Sequence, residues 1–229
     1  MTTDECNQKR RQPRHRDGGF TLIELLITIA IMGVITLPLG NLVISYFKNT
    51  ANTTARLAGS HDAQIAAAYF SQDVASLGVQ SAGAPATSLW VTPFGGAPAC
   101  GSAVAGGTRI LIMASDDYST ATAGSFSTTT TPQIVNIAYV ATSVGTVSQP
   151  RYELHRVRCV GTASSGSDAT LMHNLVAIPA VPICDITAAT ACSSSTPYPG
   201  QVQMNLVIMD TSSPSATYSV ALSGQRRQT

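Results

Sequence analysis

Residues 18–47 read GGFTLIELLITIAIMGVITLPLGNLVISYF, and this stretch decides the architecture. Between Phe20 and Phe47 the only charged side chain is Glu24. As a helix these residues extend about 42 Å, against about 30 Å of bilayer hydrocarbon, so the segment can span a membrane. Lys9, Arg10, Arg11, Arg14 and Arg16 precede it, whereas only Lys48 and Arg56 follow closely. That asymmetry places the N-terminus in the cytoplasm and the bulk of the chain outside. A secretory signal also couples a basic start to an apolar middle, but it is cut after the apolar part at a small-x-small site. Nothing convincing of that kind follows Leu39, and the helix is expected to be retained. Gly33, Pro38 and Gly40 are placed to loosen or bend it, because Pro38 removes one helical hydrogen bond and crowds the preceding turn.

Outward from this stretch, residues 60–77 return to helical character. Ala63, Ala66 or Ala67, Phe70, Val74 and Leu77 recur at spacings of three and four, which makes one apolar stripe. Gly78 is a C-terminal stop, and Gly59 with Ser60 marks a fresh start or a mild interruption. The expectation is one long helix, broken or bent, running from the membrane into a head. After Gly78 the pattern changes to short β-rich runs divided by Gly, Ser, Thr and Pro, with a first loop over 82–107. Strands are expected at 108–114, 134–141, 152–160, 170–178, 202–209 and 217–222. In the last, Tyr218, Val220 and Leu222 alternate with Ser219 and Ala221, as a half-buried strand requires. Val202, Met204, Leu206 and Ile208 likewise share one face. Arg156 and Arg158 point opposite to Val157 and Cys159 and read as a solvated face. The run Thr128 to Thr131 reads as loop. A helix followed by strands indicates an α+β fold with an antiparallel sheet packed on the helix. The division is 1–19 leader, 20–47 membrane and assembly helix, 48–78 its continuation into the head, and 79–229 a β-rich head.

A chain of 229 residues holds one domain with a real core plus an appended segment. Only 11% of residues are charged, so the surface is largely hydroxyl and small side chains, as suits an exported domain. The formal charge of +1 divides into +2 for residues 1–19, where five cations face Asp4, Glu5 and Asp17, and −1 for the rest. The mature part lacks the basic surplus that a dedicated nucleic-acid binder uses to displace counterions. Cys6 lies in the leader, which leaves Cys100, Cys159, Cys184 and Cys192. An even set in an exported domain reads as two disulfides, with three pairings open. Cys184 and Cys192 flank a short Ser/Thr-rich excursion that a bridge would pin, so they are expected to pair, and Cys100 with Cys159 by exclusion. No pair has C-x-x-C spacing, which removes support for a zinc knuckle or a thioredoxin-like site.

The run Gly18-Gly19-Phe20-Thr21-Leu22-Ile23-Glu24-Leu25-Leu26-Ile27 resembles the cleavage and N-methylation motif of type IV prepilins. The resemblance implies a cut between Gly19 and Phe20 by a prepilin peptidase on the cytoplasmic side, methylation of the new amine, and assembly with other pilin or pseudopilin subunits through the helix. A carboxylate inside hydrocarbon is expensive and persists with a partner. For Glu24 the family's partner is the N-terminal amine of a neighbouring subunit, which would offset part of both desolvation costs and set the axial register. The motif is shared by major pilins, minor pilins and secretion pseudopilins. A weaker resemblance, carried by Tyr69-Phe70-Ser71-Gln72-Asp73 and by the last strand running into Gly224-Gln225-Arg226-Arg227, is to J-type minor pseudopilins and PilW-like minor pilins. Together these imply a structural subunit of a type IV pilus or a type II secretion-like filament, acting in initiation or at the tip, in a single-pass membrane protein with an exported head. The alternative is a surface adhesin whose head captures a ligand or DNA. Trp90, Arg109, Arg226 and Arg227 are too few and too dispersed to mark such a patch.

No nucleophile elbow, Walker loop, G-x-G-x-x-G turn or H-E-x-x-H helix is present, so no catalytic residue, cofactor or metal site is expected. His61, His155 and His173 are scattered and read as surface or structural histidines. Asp116 and Asp117 beside Tyr118 read as a solvated turn rather than a calcium site.

Overall fold

The computed structural model describes residues 19–78, 88–91, 96–117, 133–146, 148–193, 199–210 and 216–227. Residues 1–18 of the leader, with Cys6 and Gly18, the run Thr128 to Thr131, and Tyr118 lie outside the described residues. The elements are α1 (Leu22–Ala75), β1 (Leu89–Val91), β2 (Gly107–Asp117), β3 (Gln133–Ser143), β4 (Tyr152–Val160), β5 (Ser167–Leu175), β6 (Ile183–Asp185), β7 (Thr190–Ala191), β8 (Gln201–Met209) and β9 (Thr217–Gln225). The chain divides into two compact units, Met1–Asn49 and Thr50–Thr229.

In the first unit, Thr21 starts α1. Its carbonyl accepts from the Glu24 and Leu25 amides at 3.0 and 3.2 Å, and its hydroxyl from the Glu24 amide at 3.4 Å. Every side chain from 19 to 49 is exposed, aliphatic ones included. The Thr28 and Thr36 hydroxyls donate to the Leu25 and Met32 carbonyls at 2.8 and 2.5 Å, so polar groups in the apolar section turn inward to the helix itself. The helix expected to run on through this region is not broken: α1 is one helix of 54 residues that contains Gly33, Pro38, Gly40, Gly59 and Ser60. Proline deletes only its own donor, and a long hydrogen-bonded ladder on both sides holds the local geometry.

The second unit is an α+β head. From Thr50 on, α1 buries Ala66, Phe70, Asp73 and Val74 and ends near Gly78, which takes φ +137°. One antiparallel sheet runs β1-β2-β3-β4-β5-β8-β6-β7, with β9 paired to β8. The six expected strands all form; β5 starts and ends three residues earlier than expected, at Ser167–Leu175. Three short strands, β1, β6 and β7, fall where loop was expected, being too short to show a period. Register shifts at Ile110 and in β5 curl the sheet, and Asn174 takes φ 59° at the latter. Both faces of the central strands are covered. Leu111, Met113, Tyr139, Leu154, Met172, Met204, Leu206 and Leu222 pack in one cluster with Phe70 and Val74 of α1. On the opposite face Trp90, Ile112, Val140 and Val157 pack around Cys100 and Cys159.

Candidate functional site

At the N-terminal end, Phe20 is 81% exposed, and Gly19 precedes it with open space around its Cα. Glu24 sits in the first turn of α1, three residues after the capping Thr21. This is the capping-box position, where a carboxylate is favoured by the helix dipole. That local role was legible as T-x-x-E and stands beside the assembly role expected of Glu24. From Leu22 to Phe47 the apolar side chains form an uncovered surface on a helix long and apolar enough to cross a membrane.

Within the head, the four cysteines are bonded as Cys100–Cys159 and Cys184–Cys192, with Cα separations of 5.7 and 4.7 Å. The second bridge clamps the β6–β7 hairpin, whose turn is set by Asp185 Oδ1 accepting from the Thr187 and Ala188 amides. The first holds the 96–106 loop against β4.

Arg156 departs from the solvated face expected of it. Its Nε and Nη2 donate to the two oxygens of Asp73 on α1 at 2.7 and 2.6 Å, and the Asp73 side chain is only 2% exposed. Tyr139 donates its hydroxyl to Asp73 Oδ2 at 2.7 Å, Phe70 packs edge-on against the Tyr139 ring, and the guanidinium lies 5.1 Å from the Tyr69 ring centre. The reason is that β4 is covered on both faces, so residues alternating with Val157 and Cys159 meet α1 instead of water. The bidentate pair fixes α1 against β3 and β4 in one register. Burial pushes the Tyr139 hydroxyl well above its ordinary value, with the Asp73 charge acting the same way. The hydrogen bond to Asp73 raises Arg156 further. Arg158 is also paired, donating to Asp117 at 2.5 Å, which engages one of the two adjacent acids considered for calcium.

The histidines are less scattered than the sequence implied. His155 Nδ1 lies 2.9 Å from Asp168, His173 Nδ1 lies 2.8 Å from Asp62 of α1, and Glu153 faces both rings at 3.6 and 4.0 Å. Pairing of β4 with β5 brings them together, a tertiary fact with no trace in the spacing. Among the described residues no three metal-ligating side chains converge. Trp90 is buried in the second core cluster and offers no exposed aromatic surface.

The prokaryotic N-terminal methylation motif matches residues 14–40, of which 19–40 are described. No curated protein matches the chain, and no solved structure does. The motif supports a type IV prepilin-like protein, implies a structural role with processing by prepilin peptidase and assembly with other pilins, and accords with the exposed apolar helix and two disulfides.

Proposed function

We propose that the chain is a minor subunit of a type IV pilus or type II secretion-like filament, of the J-type pseudopilin or PilW-like kind, which acts where the filament is initiated or at its tip. The methylation motif running directly into a helical section, residues 22–47, whose apolar side chains are all exposed carries this reading. Such a helix needs lipid before assembly and neighbouring helices after it. Peptidase cleavage between Gly19 and Phe20 frees an amine next to Glu24, and that carboxylate pairs with the amine of an adjacent subunit. The basic leader stays in the cytoplasm and the head is exported, an orientation supported by the arginines before the helix and by disulfides that belong to oxidising compartments. A head whose described residues form a nine-stranded sheet and two core clusters is large for a repeating shaft subunit, which supports the minor role. Intact-mass measurement of protein extracted from membranes tests the reading. The expected species starts at Phe20 and carries one N-terminal methyl group; a stable species starting well after Leu39 would overturn it.

A further inference from the structure

Among the described residues β9 has a single hydrogen-bonded neighbour, β8, and all nine of its residues pair in unbroken register from Thr217 with Met209 to Gln225 with Gln201. Natural sheet edges are blunted by charge, proline, a bulge or shortness, because an open row of backbone donors and acceptors pairs with any strand that meets it. The sequence TYSVALSGQ carries none of these devices: no charge, no proline and no register shift. The opposite end of the sheet does differ, since β1 has only three residues.

The surroundings of β9 restrict what could pair with it. The Tyr218 hydroxyl lies against Gly59, and a Cβ on Gly224 would fall 2.6 Å from Val74 Cβ, so α1 and β9 run side by side in the same direction. Two depressions mark their border. One, of about 430 Å³, is lined by Arg56, Ser60, Ala63, Asp210, Tyr218 and Val220. The other, of about 420 Å³, is lined by Ser71, Gln72, Ala75, Ser76 and Arg227. Roughly twelve helical residues separate them, a span of about 18 Å, which an extended strand covers in about five residues. Side chains four or six apart on one strand therefore reach both. Arg56 in the first is paired with Asp210 at 3.5 Å, whereas Arg227 lines the second with no acid beside it in that lining.

We propose that β9 is a docking edge that accepts an extended segment of a different subunit by strand addition. That segment is uncharged along the strand, sets an aliphatic side chain over Ala63 and Val220, and carries one carboxylate at the end facing Arg227. Main-chain hydrogen bonds supply the affinity and the two depressions the selectivity. The choice of a different subunit rests on the filament reading. Two copies pairing β9 antiparallel would point their α1 helices in opposite directions, while subunits of one filament carry them the same way.

Full-length protein in detergent micelles, titrated with a labelled nonapeptide TYSVALSGQ, tests the edge without any membrane constraint. Antiparallel pairing centred on Ala221 sets Val220 against Leu222 and Tyr218 against Gly224, so the peptide suits this edge. Saturable binding is expected. Methylating the peptide amides in one alternating phase should weaken it more than about tenfold, while the opposite phase leaves it unchanged. Glu in place of the peptide's Thr217, which the register brings to the Arg227 end, should strengthen binding roughly two- to fivefold, and the gain should vanish in Arg227→Gln. No saturable binding, or equal loss in both phases, overturns the docking edge. The mature N-terminus measured on the same preparation decides the filament reading separately, because either result can fail while the other holds.

Discussion

The two parts of α1 are one helix built under two different rules. From Leu22 to Asn49 every side chain is exposed and most are apolar, whereas from Thr50 to Ala75 the helix is amphipathic and buries Ala66, Phe70, Asp73 and Val74. The first part is selected for a solvent that is not water, and its stability comes from hydrogen bonds closed within the helix. The second is selected for one sheet, through aliphatic packing and a charged pair that admits one register. The head should therefore respond to changes at Asp73 and be indifferent to changes at Glu24.

The largest effect is expected from Asp73→Ala. It leaves the Arg156 guanidinium in a pocket where its side chain is 15% exposed and removes the acceptor of the Tyr139 hydroxyl. Breaking a buried pair on one side costs about 3–5 kcal/mol. Denaturant unfolding followed by the fluorescence of Trp90, the only tryptophan, reads it directly. The double variant Asp73→Leu with Arg156→Met should regain most of the loss, since apolar replacements of buried pairs are often neutral. A wild-type midpoint for Asp73→Ala would break the contrast between the two parts of the helix.

Next come the disulfides, which stabilise only the head. Replacing Cys100 and Cys159 by Ala opens a loop with a separation of 59 residues, and replacing Cys184 and Cys192 one with a separation of 8. The chain-entropy model gives about 4 kcal/mol for the first and about 2.5 kcal/mol for the second. The order matters more than the values: a larger loss from the short hairpin would show that native-state packing, not loop closure, sets these contributions.

How much of this was legible follows the same division. The long apolar helix, the methylation motif and the six longer strands could be read because each is a local pattern, a run or a period. Val202, Met204, Leu206 and Ile208 alternate in the sequence and are all buried on one face. Arg156 was misread because alternation predicts faces but not whether the second face is wet, and only the covering by α1 and the 96–106 loop decides that. The Asp62–His173 and His155–Asp168 pairs join residues up to 111 apart in the chain and depend on strand order. β6 and β7 are too short to show a period, and β8 and a disulfide hold them in place. At Gly59 and Ser60, read as a fresh start or a mild interruption, the helix continues, because propensity is a weak prior against a ladder of 54 residues.

A smaller effect is expected from Tyr139→Phe, which removes one hydrogen bond to a carboxylate and should cost about 1.5–3 kcal/mol. It also carries a pH signature. The folded value of Tyr139 is raised above the ordinary value of about 10, so its contribution is full below that value and is lost as pH climbs through and beyond it. Head stability should fall above about pH 10 in the wild type and fall less in Tyr139→Phe, measured as unfolding midpoints across the alkaline range. Identical alkaline profiles would place the sensitivity elsewhere.

The smallest effect on the head is expected from Glu24→Leu, and that smallness is its value. Glu24 is exposed and lies in the first turn of α1; its local role is the capping position and the helix dipole. Removing it should change head stability by less than about 0.5 kcal/mol, as for surface positions away from any network. Insertion should persist because leucine makes the span more apolar. If Glu24 pairs with a neighbour's amine, loss of the carboxylate leaves that amine unpaired in apolar surroundings, and incorporation into filaments should fall sharply. Glu24→Gln separates the two roles, since it keeps a side chain able to cap but not the charge. Membrane and sheared-filament fractions are to be probed for wild type, Glu24→Leu, Glu24→Gln and Gly19→Ser, the last as a processing-defective control. Retention in membranes with loss from filaments, in both Glu24 variants and with an unchanged Trp90 unfolding curve, is the expected pattern. Equal amounts of all Glu24 forms in filaments would remove the pairing role and leave Glu24 as a helix cap alone.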